Sequence, residues 1–257
     1  MLSKAKLQFI ISLHQKKYRK STGLFIAEGD KVVAELLQSS FRIHSVYALS
    51  EWFDENSVKL KRNKTIGDVI SENDLKKISQ LTTPNRVLAI AYVPDTNLSI
   101  AQLKNELLIA LDDINDPGNF GTIIRTADWF GIKSIVCSTA TADAYNSKTV
   151  QSAMGSLFRI NVAYVDLKKW LSDYKLQTGN RLYGTTLEGK NIYNQKLDDK
   201  GVIIIGSESH GINAALLDEI DSLITIPSYS STGSGAESLN AAVAAGIVLA
   251  EFRRGNK

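Results

Sequence analysis

Cysteine, histidine and proline are all scarce in this chain of 257 residues, with one Cys, three His and four Pro. A lone Cys137 cannot close an internal disulfide, and no Cys/His cluster is available for a structural zinc. His14, His44 and His210 are widely scattered, so no metal site is expected. No apolar run approaches the roughly 18 residues that span a bilayer. The apolar stretch Leu7 to Leu13 is interrupted by Gln8 and followed by a basic run, which does not read as a signal peptide. The formal net charge of +3 is too small to name a partner. With 44% hydrophobic residues, composition is ordinary for a globular protein and excludes wholesale disorder and fibrous repeats. The expectation is a soluble, cytoplasmic protein with no membrane partner, built as one large domain or two ordinary ones.

Several catalytic signatures are missing as well. There is no G-x-x-x-x-G-K-[ST], no H-E-x-x-H and no G-x-S-x-G. Gly233-Ser234-Gly235 resembles the start of a dinucleotide fingerprint, but Ser238 stands where the third glycine belongs and no short βα turn holds it, which rejects NAD binding there.

What is present begins with an uneven charge distribution. Residues 1–22 hold Lys4, Lys6, Lys16, Lys17, Arg19 and Lys20 and no acid. Leu2, Ala5, Leu7, Phe9, Ile10 and Leu13 recur between them at near-helical spacing. Such a basic amphipathic helix suits a phosphate backbone or an anionic surface, and equally a packed helix with one solvated face.

Two textures follow. From Gly23 to about Pro94 the elements are short and mixed: apolar Leu24–Ala27, helix-like Lys31–Leu37, strand-like His44–Leu49, helical Glu72–Ile78 and strand-like Val87–Val93. Asp95–Ser99 is polar and turn-rich and is the best linker candidate. Beyond it, apolar β-like runs at Leu107–Leu111, Ser134–Cys137, Leu182–Thr185, Val202–Ile205 and Leu223–Ile226 mostly alternate with helical patterns. Those patterns cover Asn119–Phe130, Ser147–Leu157, Leu167–Tyr174 and Ile212–Ile220. The fold class is α/β, with a mostly parallel sheet covered by helices on both faces. In such sheets the ligand lies beyond the carboxyl ends of the strands.

Three segments at those ends carry polar chemistry. The first runs from Asp112 through Pro117, Gly118, Asn119 and Gly121 into Arg125. Asn119 is well placed to cap the following helix. Phe120, Ile123, Ile124, Ala127 and Phe130 form that helix's core stripe, which puts Arg125 on roughly the opposite side. It is exposed there, covered by a partner, or paired with Asp128. The second segment is Gly206 to Gly211, where a buried strand ends in a glycine that allows close backbone approach and a loop carries Glu208 and His210. A purely structural reading makes Ser207 or Ser209 a helix cap and Glu208 a first-turn acid. The third is Ile226-Pro227, a loop, then Ser238-Leu239-Asn240 and an Ala-rich helix to Phe252, whose small-residue face would meet the sheet or a second subunit.

Taken together these segments resemble the motif set of the SpoU/TrmH family, the RNA ribose 2′-O-methyltransferases of the SPOUT superfamily. The matching pattern is Asn119-x-Gly121-x3-Arg125, then Gly206-x-Glu208-x2-Gly211, then Ile226-Pro227 with Ser238-Leu239-Asn240. Arg19-x3-Gly23-x-Phe25-x2-Glu28-Gly29 also resembles the small L30e-like substrate-binding domain found ahead of many members. The resemblance implies an L30e-like RNA-binding domain at 1–94, a linker at 95–105 and a SPOUT methyltransferase domain at 106–257. It further implies a deep trefoil knot, S-adenosylmethionine as cofactor, a homodimer with the active site near its interface, and RNA as the substrate, ribosomal RNA being favoured over transfer RNA. By motif match, Gly206, Ile226 and Leu239 line the cofactor pocket, and Asn119, Arg125, Glu208, Ser238 and Asn240 are the catalytic candidates.

The implied reaction asks the protein to hold a ribose 2′-oxygen in line with an electrophilic methyl group and to manage one proton. The family arginine has been proposed to activate the hydroxyl. A guanidinium stays protonated, so Arg125 is assigned here to stabilising alkoxide charge and orienting the neighbouring phosphate. Glu208 is then a proton acceptor or an anchor for Arg125. The chain departs from the family in its ten-residue loop Ser228–Glu237, longer than usual and expected to stay mobile until ligand arrives, and in Ala241-Ala242-Val243. The alternatives are a tRNA methyltransferase, a non-catalytic RNA-binding protein on the same fold, and a nucleotide enzyme on an unknotted sheet.

Overall fold

A computed structural model describes residues 2–62, 66–83, 85–96, 98–230 and 237–254. The chain opens with α1 (Lys4–Ser12), α2 (Lys16–Thr22), β1 (Leu24–Glu28), α3 (Asp30–Gln38) and β2 (Ile43–Ala48). It continues through α4 (Ser50–Arg62), β3 (Gly67–Val69), α5 (Glu72–Ile78), β4 (Val87–Tyr92) and α6 (Ile100–Leu103). Next come β5 (Leu107–Asp112), α7 (Pro117–Trp129), β6 (Ser134–Ser138), α8 (Ser147–Ala153), β7 (Asn161–Val165) and α9 (Leu167–Thr178). The last elements are β8 (Leu182–Asn191), β9 (Gly201–Gly206), α10 (Ala214–Leu217), β10 (Ser222–Thr225) and α11 (Ala241–Arg253).

These elements form two compact units: Met1–Asp95 with Asp143–Arg159, and Thr96–Ala142 with Ile160–Lys257. The first holds a four-stranded sheet in the order β1-β4-β2-β3, antiparallel except for the β2–β3 pair. Its core joins Ile10 and Leu13 to Ile26, Leu88 and Ile90 on the sheet and Ile78 of α5. The basic N-terminal stretch is two helices rather than one, and Arg19 is not on a solvated face: it is 4% exposed. Its Nε and Nη2 donate to Asp143 Oδ2 at 3.0 and 2.6 Å, and Nη1 donates to the carbonyls of Leu13 and His14 at 2.9 and 2.8 Å. Phe25, Phe41, Tyr145 and Phe158 form an aromatic cluster in the same unit. The pair and the cluster bind Asp143–Arg159 into this unit, whereas the sequence reading ran the second domain unbroken over 106–257.

The second unit is a six-stranded sheet, β10-β8-β9-β5-β6-β7, parallel at every pairing. The central strands β5 and β9 are almost wholly buried, which is why they read as continuous apolar runs. Leu108, Ala110, Val202 and Ile204 pack against Leu171 and Tyr174 of α9. Buried Leu103 of α6, inside the expected linker, joins that same core. On α7 and α11, Ile123, Ile124, Ala127, Val248 and Leu249 are buried.

Besides α6 in the expected linker, three elements have no counterpart in the sequence pattern. On α4 the turns are dominated by charge and only Trp52 and Leu60 are buried among its described side chains. β3 is three residues long, and β7 sits at the sheet edge with Asn161 and Tyr164 exposed. The trefoil knot remains what the resemblance implies, and residues 231–236, including Gly233-Ser234-Gly235 and most of the Ser228–Glu237 loop, lie outside the described residues.

Candidate active site

The start of α7 sets the first wall of the site. Asp116, not Asn119, is its N-cap: Asp116 Oδ1 accepts from Asn119 N at 2.8 Å, and Pro117 occupies the first turn. That leaves the Asn119 side chain available. Its Nδ2 donates to Glu208 Oε1 at 2.5 Å.

Asn240 caps α11, its Oδ1 accepting from Ala242 N and Val243 N at 3.0 and 3.3 Å. Its Nδ2 donates to Asn119 Oδ1 at 3.0 Å and to Glu208 Oε1 at 3.2 Å, and Ala241 N reaches the same oxygen at 3.2 Å. Three N–H donors from α7 and α11 thus converge on one carboxylate oxygen of the β9 loop. Oε2 has no hydrogen-bond partner among the described residues, although Glu208 is exposed.

α7 and α11 run side by side in the same direction. Asn119 meets Asn240 at one end, and at the other Arg253 Nε donates to Phe130 O at 3.0 Å. The small-residue face of α11 is used within the chain: Ala241, Ala242 and Ala245 are buried, and Gly246 lies beside Thr126.

The Glu208 loop is held from both sides. Ser207 N donates to Gly211 O at 3.1 Å, and Gly211 N returns a bond to Ser207 O at 2.9 Å. A Cβ on Gly206 would stand 2.1 Å from Gly211 C, so no side chain fits there. Asn213, rather than Ser207 or Ser209, caps the next helix. Its backbone N–H donates to Asp112 Oδ2 at 2.7 Å, tying the loop to the end of β5. Burial pushes the Asp112 carboxyl above its ordinary value, the Asn213 N–H opposes this, and the neighbouring Asp113 charge adds to it.

Beside Glu208 opens a cleft enclosing about 800 Å³ including its mouth. Gly206, Ile226 and Leu239 line it, as do Glu208 and Ser238. Asn119 and Asn240 do not line the cleft and reach it only through their bonds to Glu208. Arg125 is apart from the cluster: it is exposed on the outer side of α7 and makes no hydrogen bond or ion pair with any described residue, Glu208 and Asp128 included.

The sequence reading missed Thr185, Thr186 and Leu187, which line the cleft from β8. Pairing jumps from Leu223↔Gly184 to Ile224↔Lys190, so residues 185–189 bulge out of the ladder. Gly189 lets the Ile224 backbone approach to where a Cβ would be 2.5 Å from its carbonyl carbon. The rule that ligands sit beyond strand ends would have flagged these residues, because they follow the apolar run that begins at Leu182. Thr186 Oγ1 is buried with no hydrogen-bond partner among the described residues. Among those residues there is also no cluster of three or more His, Cys, Asp or Glu side chains placed to hold a metal ion, and no helix long and apolar enough to cross a membrane.

Comparison with known proteins gives a consistent set of matches. Residues 106–250 match the SpoU rRNA Methylase family, and residues 4–89 match the MRM3-like substrate binding domain. A 23S rRNA (guanosine(2553)-2′-O)-methyltransferase, RlmP, from Bacillus subtilis (strain 168) is 34% identical over 94% of this chain and 93% of its own length. A TrmH-family protein from Porphyromonas gingivalis has a structure with TM-score 0.87 and 32% identity, over 99% of both chains. An AdoMet-bound rRNA methyltransferase from Sinorhizobium meliloti has TM-score 0.86 and 29% identity, over 99% of this chain and 96% of its own.

Proposed function

Because the chain belongs to the SpoU rRNA methylase family, we propose that it transfers a methyl group from S-adenosylmethionine to a ribose 2′-hydroxyl of ribosomal RNA. The observation that carries the reading is the convergence of Asn119, Asn240 and Ala241 N on Glu208 Oε1 beside a cleft lined by Gly206, Ile226 and Leu239.

The cleft residues suit the cofactor. Ile205, Ile224, Ile226 and Val248 offer an apolar wall, and the unpartnered Thr186 Oγ1 is a polar atom that a bound ligand would satisfy. Gly206, Ile226 and Leu239 would hold it with their backbone groups. When bound, S-adenosylmethionine supplies an electrophilic sulfonium methyl.

The remaining work falls to side chains. Asn119, Asn240 and Ala241 N fix Glu208 by saturating Oε1, which leaves Oε2 as the acceptor for the 2′-hydroxyl proton. Ser238, on the cleft wall, is assigned to orienting the ribose. Arg125, cationic and without a partner among the described residues, stabilises negative charge developing on the 2′-oxygen and pairs with the adjacent phosphate. In this reading Glu208 does not anchor Arg125, and the arginine meets the substrate from a homodimer interface. Exposed Trp129 on α7 (85%) and Val243 on α11 (51%) give these helices apolar surface for that interface. The site of action is the cytoplasm.

The test is transfer of labelled methyl from S-adenosylmethionine to ribosomal and transfer RNA pools from a host lacking the gene. Label in ribosomal RNA, mapped to a 2′-oxygen and lost with Arg125→Ala, is the expected result. Label confined to transfer RNA, or cofactor binding with no transfer to any pool or to precursor ribosomal particles, overturns the reading.

A further inference from the structure

Within the first unit lies a second cavity, of about 720 Å³ including its open side. β1 contributes Ile26 and Glu28, the segment after α5 contributes Gln80 and Leu81, and α8 contributes Lys148 and Gln151. Its walls therefore combine the stretch that matches a substrate-binding domain with a piece that sequence order assigns to the methylase match.

Glu28 is the unusual member. It is 6% exposed, yet no cation pairs with it among the described residues. Its two hydrogen bonds come from neutral donors, Ser79 Oγ to Oε2 at 2.5 Å and Gln80 N to Oε1 at 3.2 Å. Two carboxylate oxygens offer about four acceptor sites, so about half of that capacity has no protein donor among the described residues and is left to whatever enters the cavity. A buried carboxylate left in that condition is costly unless something brings donors to it.

We propose that this cavity is a nucleobase pocket that reads the Watson–Crick edge of a guanine in the RNA substrate; the proposal rests on the RNA-methylation reading above. Guanine presents N1–H and N2–H side by side, the donor pair that a carboxylate accepts. Adenine and cytosine each place one amino group next to an acceptor nitrogen, which a carboxylate repels. Uracil flanks its single N–H with two carbonyls. Ile26 and Leu81 supply apolar surface for the base faces, Gln80 and Gln151 supply amides for O6, and Lys148, exposed, brings positive charge for a phosphate.

The test uses the full chain and single-stranded pentamers UUXUU, with X as guanine, hypoxanthine or adenine, followed by fluorescence anisotropy. Guanine is expected to bind about tenfold tighter than adenine, with hypoxanthine, which lacks the N2 amino group, between them. Gln151→Trp fills the cavity from α8 without touching the carboxylate, and Glu28→Gln removes one acceptor. Both are expected to bring the guanine preference within about twofold of unity while S-adenosylmethionine affinity and Tm stay at the parent values. Should Glu28→Gln fail to fold, Gln151→Trp decides alone. Equal binding of guanine and adenine by the parent, or a preference that survives Gln151→Trp, overturns the pocket. Either result alongside intact methyl transfer to ribosomal RNA sinks the pocket and spares the methylation reading, whereas absence of transfer from any RNA sinks that reading instead.

Discussion

The two units hold their key arginines in opposite states. In the first, Arg19 is buried and every guanidinium nitrogen is engaged, by Asp143 and by two main-chain carbonyls. In the second, Arg125 stands exposed with no partner among the described residues. Both belong to signatures that the sequence singles out, so membership of a motif does not separate a structural residue from a chemical one. Satisfaction does. A buried charge whose donors are all paired is held because releasing it is expensive, while an exposed charge free of internal bonds keeps its full capacity for a ligand.

The sharpest break of that contrast is Arg19→Ala. It strands the Asp143 carboxylate, only 17% exposed, and orphans the carbonyls of Leu13 and His14. A loss of about 3 kcal/mol is expected, seen as a Tm fall on the order of 10 °C in thermal unfolding. A variant as stable as the parent would show that Asp143–Arg159 is held by the aromatic cluster alone. Arg125→Ala should behave in the reverse way, with Tm within about 1 °C of the parent and kcat down about 10²- to 10³-fold. Arg125→Lys should recover little of that, since an ammonium cannot make the forked contact with a phosphate. A lysine variant that keeps most of kcat would leave only its charge in the assignment.

How much was legible beforehand follows the same division. The central strands of the second unit were readable because burial on both faces writes a continuous apolar run, as in Val202–Ile205. Asn119, Glu208 and Asn240 were readable as motif residues, and so were Gly206, Ile226 and Leu239, which line the cleft. The bulge at Thr185–Gly189 was not, because the backbone of Ile224, some 35 residues on, imposes it. That Asp143–Arg159 packs with the first unit was hidden for a similar reason: its partners Arg19 and Phe25 lie more than a hundred residues upstream. The cap was a misreading of available signal. Asp116 before Pro117 is the stronger N-cap pattern, and it frees Asn119 for Glu208.

A pair of glycine variants sharpens the contrast inside the second unit. Gly206→Ala puts a methyl 2.1 Å from Gly211 C, so the loop carrying Glu208 must move. S-adenosylmethionine affinity is expected to fall about tenfold or more by calorimetry. Gly246→Ala on α11 meets only Thr126 Cγ2 at 3.8 Å, an ordinary contact. It should keep cofactor affinity and gain about 0.5 kcal/mol of stability from the helix. Equal effects at the two sites would mean that the Gly206–Gly211 turn does not shape the cleft.

The smallest effect belongs to Asp112, which is buried like Arg19 but, unlike it, has no counter-charge among the described residues. Its carboxyl is pushed up by burial, against the pull of the Asn213 N–H. A folded-state value above the unfolded one means that the native chain binds the proton more tightly. Asp112 therefore costs stability as pH rises from the ordinary carboxylate value through the raised one, and that cost persists at neutral pH. Asp112→Asn removes the charge while its Oδ1 keeps an acceptor for Asn213 N. At pH 7 the variant should match or exceed the parent, by no more than about 1 kcal/mol, and the advantage should shrink as pH falls toward the ordinary carboxylate range. Thermal unfolding at pH 7 and pH 5 reads both. An asparagine variant less stable than the parent at pH 7 would mean that the charge itself, and not the hydrogen bond, holds the Glu208 loop to the end of β5. Asp112 would then belong with the electrostatics of the site.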